Sequence, residues 1–163
     1  MLDDYAEIVK KIFAPIICQY DLKFAQIDGD EMFLIGKGFA LNVFIDRRDR
    51  RGDVWYVSID SDGAIRLHTL MYIYVARFTW DDRKAVGASL PQEGTDEYIA
   101  ATFRVANQGF LNHCQDILSG DKAWLKNYQD EEGVYSRHIA RFLKPIFESQ
   151  GYHVAPVPDS YNS

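Results

Sequence analysis

The chain is poor in cysteine, in long apolar runs and in positive charge, and each shortage narrows what it can be. Its 163 residues include two cysteines, Cys18 and Cys114. Two thiols do not make a disulfide framework. Each sits in an apolar helical pattern and is expected to be a buried thiol of a reducing compartment, although their pairing stays open at this point. No run approaches about 18 consecutive apolar residues, so no membrane-crossing helix is expected. The opening stretch "MLDDYAEIVKK" carries two aspartates at once and lacks the apolar centre of a secretory signal, which leads to the expectation of a cytoplasmic protein. Basic residues number 18 against 24 acidic ones, a formal net charge of −6. Such a surface repels bulk nucleic acid and anionic membrane and suits a basic protein partner.

Recognisable chemistry is equally scarce. "GKG" at 36–38 lacks the spacing of a phosphate-cradling loop, and no Gly-x-Ser-x-Gly elbow occurs. The four histidines, at 68, 113, 138 and 153, are far apart in sequence. His113-Cys114 with Asp116 is the most ligand-like group. Neighbouring helical positions point about 100° apart, however, so His113 is expected to be structural rather than a zinc ligand. The acid groups Asp28/Asp30, Asp60/Asp62, Asp81/Asp82 and Asp130-Glu131-Glu132 fall at predicted turns or helix edges, where Asp serves the backbone. "DSDG" lacks the distal ligands of a calcium loop. No cofactor, metal or catalytic set is expected.

What is present reads as one α+β domain over residues 1–155, with 156–163 as a loose tail. Apolar residues recur at helical spacing from Leu2 to Ile17, and Pro15 should kink or end that helix. Four strand-like runs follow: "LKFAQI", "EMFLIG", "FALNVFID" and "DVWYVSID". Short turns at Asp28-Gly29-Asp30, "GKG" and Asp62-Gly63 make an antiparallel meander the simplest arrangement. "DRRDRRGD" at 46–53 holds four arginines and three aspartates between two of those runs. It reads as a solvated hairpin tip in which Gly52 supplies positive φ. A contact loop and the Arg51-Gly52-Asp53 adhesion tripeptide are the alternatives. "LHTLMYIYVARFTW" at 67–80 fits helix or covered strand. Its length favours helix, with Leu67, Leu70, Met71, Tyr74, Val75 and Phe78 as the stripe.

Further on, Thr95 should cap a helix whose core stripe is Ile99, Phe103, Ala106, Phe110, Cys114 and Ile117, with Gly120 as its terminal glycine. "KAWLKNY" reads as a short helix and "VYSRHIARFLKPIFESQ" as the last long one, with Ile139, Phe142, Leu143 and Ile146 facing inward; "GYHVA" reads as a short strand. Residues 12–25 and 142–155 align without gaps, Pro15 on Pro145, an echo that common helix-then-strand physics explains without duplication.

The order helix, about four strands, then helices, with "ILSGDKAWLKNY" late in the chain, resembles the immunity proteins of polymorphic and contact-dependent bacterial toxin systems. The resemblance implies a cytoplasmic protein that binds and blocks one cognate toxin domain, often a nuclease, and it carries no site residue over. The residues themselves agree with a small, acidic, aromatic-rich binder. The rival readings are a small enzyme with a carboxylate or His site and an adaptor subunit. If the chain is a binder, acids beside aromatics are the candidate contacts: Trp80, Asp81 and Asp82, and the segment from Tyr128 through Asp130, Glu131 and Glu132 to Tyr135.

Overall fold

A computed structural model describes residues 1–84, 86–87, 89–127 and 133–157. Two short helices open the chain, α1 (Ala6–Ile12) and α2 (Ala14–Gln19), separated at Phe13. Pro15 lies in the first turn of α2, where its missing N–H would have no helical partner anyway. Five antiparallel strands follow in sequential order: β1 (Lys23–Asp28), β2 (Glu31–Gly36), β3 (Phe39–Asp46), β4 (Arg51–Ile59) and β5 (Ile65–Thr69). Then come α3 (Met71–Arg77), α4 (Trp80–Lys84), α5 (Asp96–His113), α6 (Gln115–Leu118), a 3₁₀ turn at Ala123–Asn127, and α7 (Arg137–Ser149). The α+β class and the meander with helices packed on it are as read from the sequence.

Helices cover both faces of the sheet. Met32, Leu34, Phe39, Leu41, Val43, Val54 and Tyr56 face α1, α2, α5 and α6. Phe33, Ile35, Ala40, Val57, Ile59, Ile65 and Leu67 face α7. That is why β2 reads as an unbroken apolar run: both of its faces are dry.

The fifth strand corrects the reading of 67–80 as one helix. Residues 65–69 are extended and pair with β4, and the helical spacing that seemed to include Leu67 is a coincidence of composition. Leu67 packs toward α7, while the His68 ring lies tilted beside Tyr56 on the opposite face, ring centres 6.2 Å apart. Ile65, Arg66, Leu67 and His68 do alternate, but a strand of five residues leaves little pattern to detect. "GYHVA" forms no strand. It follows a turn at Gly151 without regular structure, with Val154 buried and Ala155 N–H donating to the Gly63 carbonyl (2.9 Å). Val157 also packs on the α7-side core.

The 46–53 segment is a hairpin tip between β3 and β4, as expected, but its chemistry differs. The Asp46 carboxylate accepts from Arg48 N–H, and Arg50, not Gly52, takes the positive φ (52°). Gly52 lies inside β4 because the Phe103 ring lies against it; a Cβ there would sit 2.4 Å from that ring. Arg47 is also more than solvated. Its guanidinium grips Asp30 and donates to the carbonyls of Leu2 and Asp3, tying the tip to the N-terminal segment.

Candidate functional site

Helix α5 is the platform. Thr95 caps it, its hydroxyl accepting from Tyr98 N–H (3.1 Å), and Asp96 and Glu97 lie in its first turn, where the helix dipole favours acids. The stripe Ile99, Phe103, Ala106 and Phe110 is buried as read, and Cys114 and Ile117 continue it beyond a break at Cys114. Burial pushes the Cys114 thiol up to about 12, which leaves it neutral and inert. Cys18 is exposed on α2, contrary to the expected burial, and both cysteines are free.

Helices α3 and α4 cross the C-terminal half of α5 and are fastened to it by two polar knots. In the first, the Asp82 carboxylate is fully buried. It accepts from Thr79 N–H (2.6 Å) and from the Asn112 amide (2.8 Å), and it meets His113 Nε2 at 3.0 Å. Burial opposes its charge, but the hydrogen bonds and the nearby imidazole prevail and hold its pKa below the usual carboxylate range. In the second, Arg77 forks onto Asp116 (2.6 and 3.0 Å) and donates to the His113 carbonyl (3.1 Å). His113 and Asp116 are therefore fasteners between helices. Among the described residues no group of three or more His, Cys, Asp or Glu is placed to hold a metal ion.

These knots frame a half-open cavity of about 560 Å³ between α3–α4, α5 and the start of β4. Tyr74, Phe78, Tyr98 and Phe103 wall it, and Trp80, Arg83 and Leu90 stand around it. The Arg83 guanidinium lies 5.5 Å from the Trp80 ring centre, a cation–π distance. Beside the cavity, α3 turns an apolar ridge to solvent. Met71 is 61% exposed and Val75 79%, with Tyr72 next to them. Both Met71 and Val75 belonged to the expected core stripe of 67–80. Leu70 of the same stripe is buried as read, and Ile73, outside the stripe, takes an inward position.

The other proposed contact residues scatter. Trp80 is 70% exposed, and Asp81 beside it is exposed but paired with Lys84 (2.9 Å). Asp82 is internal and has no surface to offer a partner. Tyr135 is half-buried against the α7-side core, on the far side of the sheet from Trp80. Tyr128, Asp130, Glu131 and Glu132 lie outside the described residues. Trp124 is buried edge-on to Tyr56, with ring centres 4.8 Å apart.

One pair escaped the sequence reading. Ser58 Oγ and His68 Nε2 lie 3.0 Å apart across β4 and β5, a spacing suited to proton transfer. Both residues are buried, and burial lowers the His68 pKa so that its neutral form is favoured. Gly133 closes over the imidazole, since a Cβ there would come within 2.8 Å of it. Knowing that β5 pairs with β4 would have revealed the pair. Reading 67–80 as a helix hid it. Sealed in this way, the pair acts as a hydrogen-bonded tie between strands. Comparison of the chain with protein-family models, with curated proteins and with solved structures gives no match.

Proposed function

We propose that the protein is a non-catalytic binding protein that neutralises a cognate toxin domain by direct contact, as the immunity proteins whose element order it resembles do. The carrying observation is the α3 ridge. Met71 and Val75 stand in solvent one turn apart on one helix face, 61% and 79% exposed, with Tyr72 beside them. Apolar side chains grouped in this way are features of protein contact surfaces. Trp80, just past the end of α3, adds an aromatic of the kind that anchors partners. The net charge of −6 speeds the approach of a basic partner. That attraction belongs to the surface as a whole, because Asp82 is internal and Asp81 is paired. The test is co-expression with the products of the reading frames flanking this gene. A toxic product should be bound and its growth defect relieved. Met71→Glu combined with Val75→Glu should abolish both effects while leaving the circular dichroism spectrum unchanged. Absence of a bound toxic product, or full protection by the double variant, overturns the proposal.

A further inference from the structure

We propose that the cavity between α3–α4 and α5 is a binding site for a small aromatic carboxylate. This does not rest on the partner-binding reading, which the α3 ridge carries, although Trp80 borders both surfaces. The volume, about 560 Å³, falls within the range of small-molecule sites.

The walls are built to hold rings apart. Phe103 lies back against Gly52 of β4, and Phe78 lies against Gly109 of α5, where a Cβ would sit 2.2 Å from the ring. Phe78 is also braced edge-on by Phe110 at 5.9 Å and tilted against Tyr74 at 4.7 Å. Any larger residue at 52 or 109 would push a ring into the cavity. Two glycines inside regular elements, each costly to strand or helix, thus keep the space open. The Asp82 and Arg77 knots hold the fourth side, so an entering ring meets flat aromatic surfaces already in place. That lowers the ordering cost of binding.

The charge at the mouth selects the ligand. Arg83 makes no ion pair among the described residues. Its planar guanidinium can take a carboxylate through two parallel hydrogen bonds while it rests on Trp80. Among the described residues the one acid on the wall, Asp53, already accepts from Val54 N–H (2.8 Å) and Trp55 Nε1 (3.1 Å). Aromatic walls alone would also attract a cation, but Arg83 at the mouth repels it. An aryl group with an attached carboxylate satisfies both the rings and the guanidinium.

The probes are naphthoate, naphthol and naphthylmethylamine, which share a ring system and carry negative, no and positive charge. Each is titrated into the full chain by calorimetry and by backbone amide NMR. Naphthoate should bind at least about tenfold more tightly than the other two, with shifts confined to α3, α4, α5 and the start of β4. Arg83→Gln, an exposed change, should erase that preference. Thr102→Phe, which fills the cavity from α5, should abolish binding of all three probes, with the fold checked by circular dichroism. The proposal is overturned if naphthoate does not saturate, if the amine binds best, if the shifts lie elsewhere, or if Arg83→Gln keeps the preference.

Discussion

On one face of the sheet, among the described residues, a single helix, α7, sets Ile139, Ala140, Leu143 and Phe147 against Phe33, Ala40, Val57 and Leu67. On the other face α1, α2, α3, α5, α6 and the 3₁₀ turn share the cover, and their contacts are dominated by rings: Phe13 on Phe103, Tyr74 and Phe78 on Phe110, Tyr56 on Trp124. The difference is one of tiling. A long amphipathic helix laid over a sheet leaves few gaps, because one stripe meets one surface. Several short helices crossing at different angles meet at corners, and rigid rings do not fill every corner. The aromatic-walled cavity and the exposed α3 ridge lie among these short elements, and a second cleft, of about 760 Å³, opens where the end of α2 meets the C-terminal end of α7.

Matched truncations sharpen the contrast. Phe147 and Phe103 are both buried phenylalanines, one on each face. Phe147→Ala should cost about 4–5 kcal/mol, since α7 and the sheet cannot close over the void. Phe103→Ala should fall nearer about 3 kcal/mol, because one side of its ring already borders the cavity and water can enter the space it leaves. Urea melts of both variants measure the gap. Equal losses would mean that the cavity wall packs as tightly as the α7 face.

Asp82 tests what holds the crowded face together. Asp82→Ala removes a buried carboxylate and strands the Thr79 N–H, the Asn112 amide and the His113 ring, a loss of roughly 2–4 kcal/mol at neutral pH. The folded state holds the Asp82 pKa below its ordinary value. Its contribution is therefore complete above the unfolded carboxylate range and fades as pH falls through the folded value. Melts at neutral and at strongly acidic pH should show the gap between wild type and variant closing in acid. A gap independent of pH would mean that the carboxylate's charge is not what fastens α4.

Where one residue pattern maps to one environment, the sequence was readable. The α5 stripe, its Thr95 cap and the four long strands all followed from spacing and turn chemistry. Reading failed where both environments are apolar. Residues 65–77 hold a five-residue edge strand, too short for its alternation to stand out beside the helical spacing that follows, and then a helix whose apolar outer face carries no inside-or-outside signal. For the same reason Met71 and Val75 passed as core, and the Ser58–His68 pair stayed hidden. The cavity was unreadable for another cause. It depends on Gly52 and Gly109, whose partners Phe103 and Phe78 are distant in sequence. Asp82 reads as a surface acid until His113 and Asn112 are brought to it.

His68 offers a smaller effect on the ring-rich face. Burial lowers its pKa in the folded protein, while Asp60 pulls the other way and Arg66 adds to the lowering. Folding thus favours the neutral ring. The associated stability is complete above the ordinary histidine pKa and is lost as pH falls below it toward the folded value. His68→Gln keeps a hydrogen-bonding group for Ser58 but does not titrate. Wild type should lose stability relative to this variant between neutral and mildly acidic pH. Parallel stability profiles for the two proteins would show that His68 does not sense burial.

The smallest effect belongs to the ridge. Met71 and Val75 are 61% and 79% exposed, so their side chains are already largely in water in the folded state. Truncation therefore removes little transfer free energy and leaves no cavity. Met71→Ala and Val75→Ala also replace residues in a helix with the best helix former, a change of a few tenths of a kcal/mol in favour of folding. The double variant should stay within about 0.5 kcal/mol of wild type, against losses several times larger at Phe147 and Asp82. Its solubility should rise, because an exposed apolar patch is gone. A stability loss above about 1 kcal/mol would place these side chains in the core of the fold, and the ridge would no longer be a surface left over for a partner.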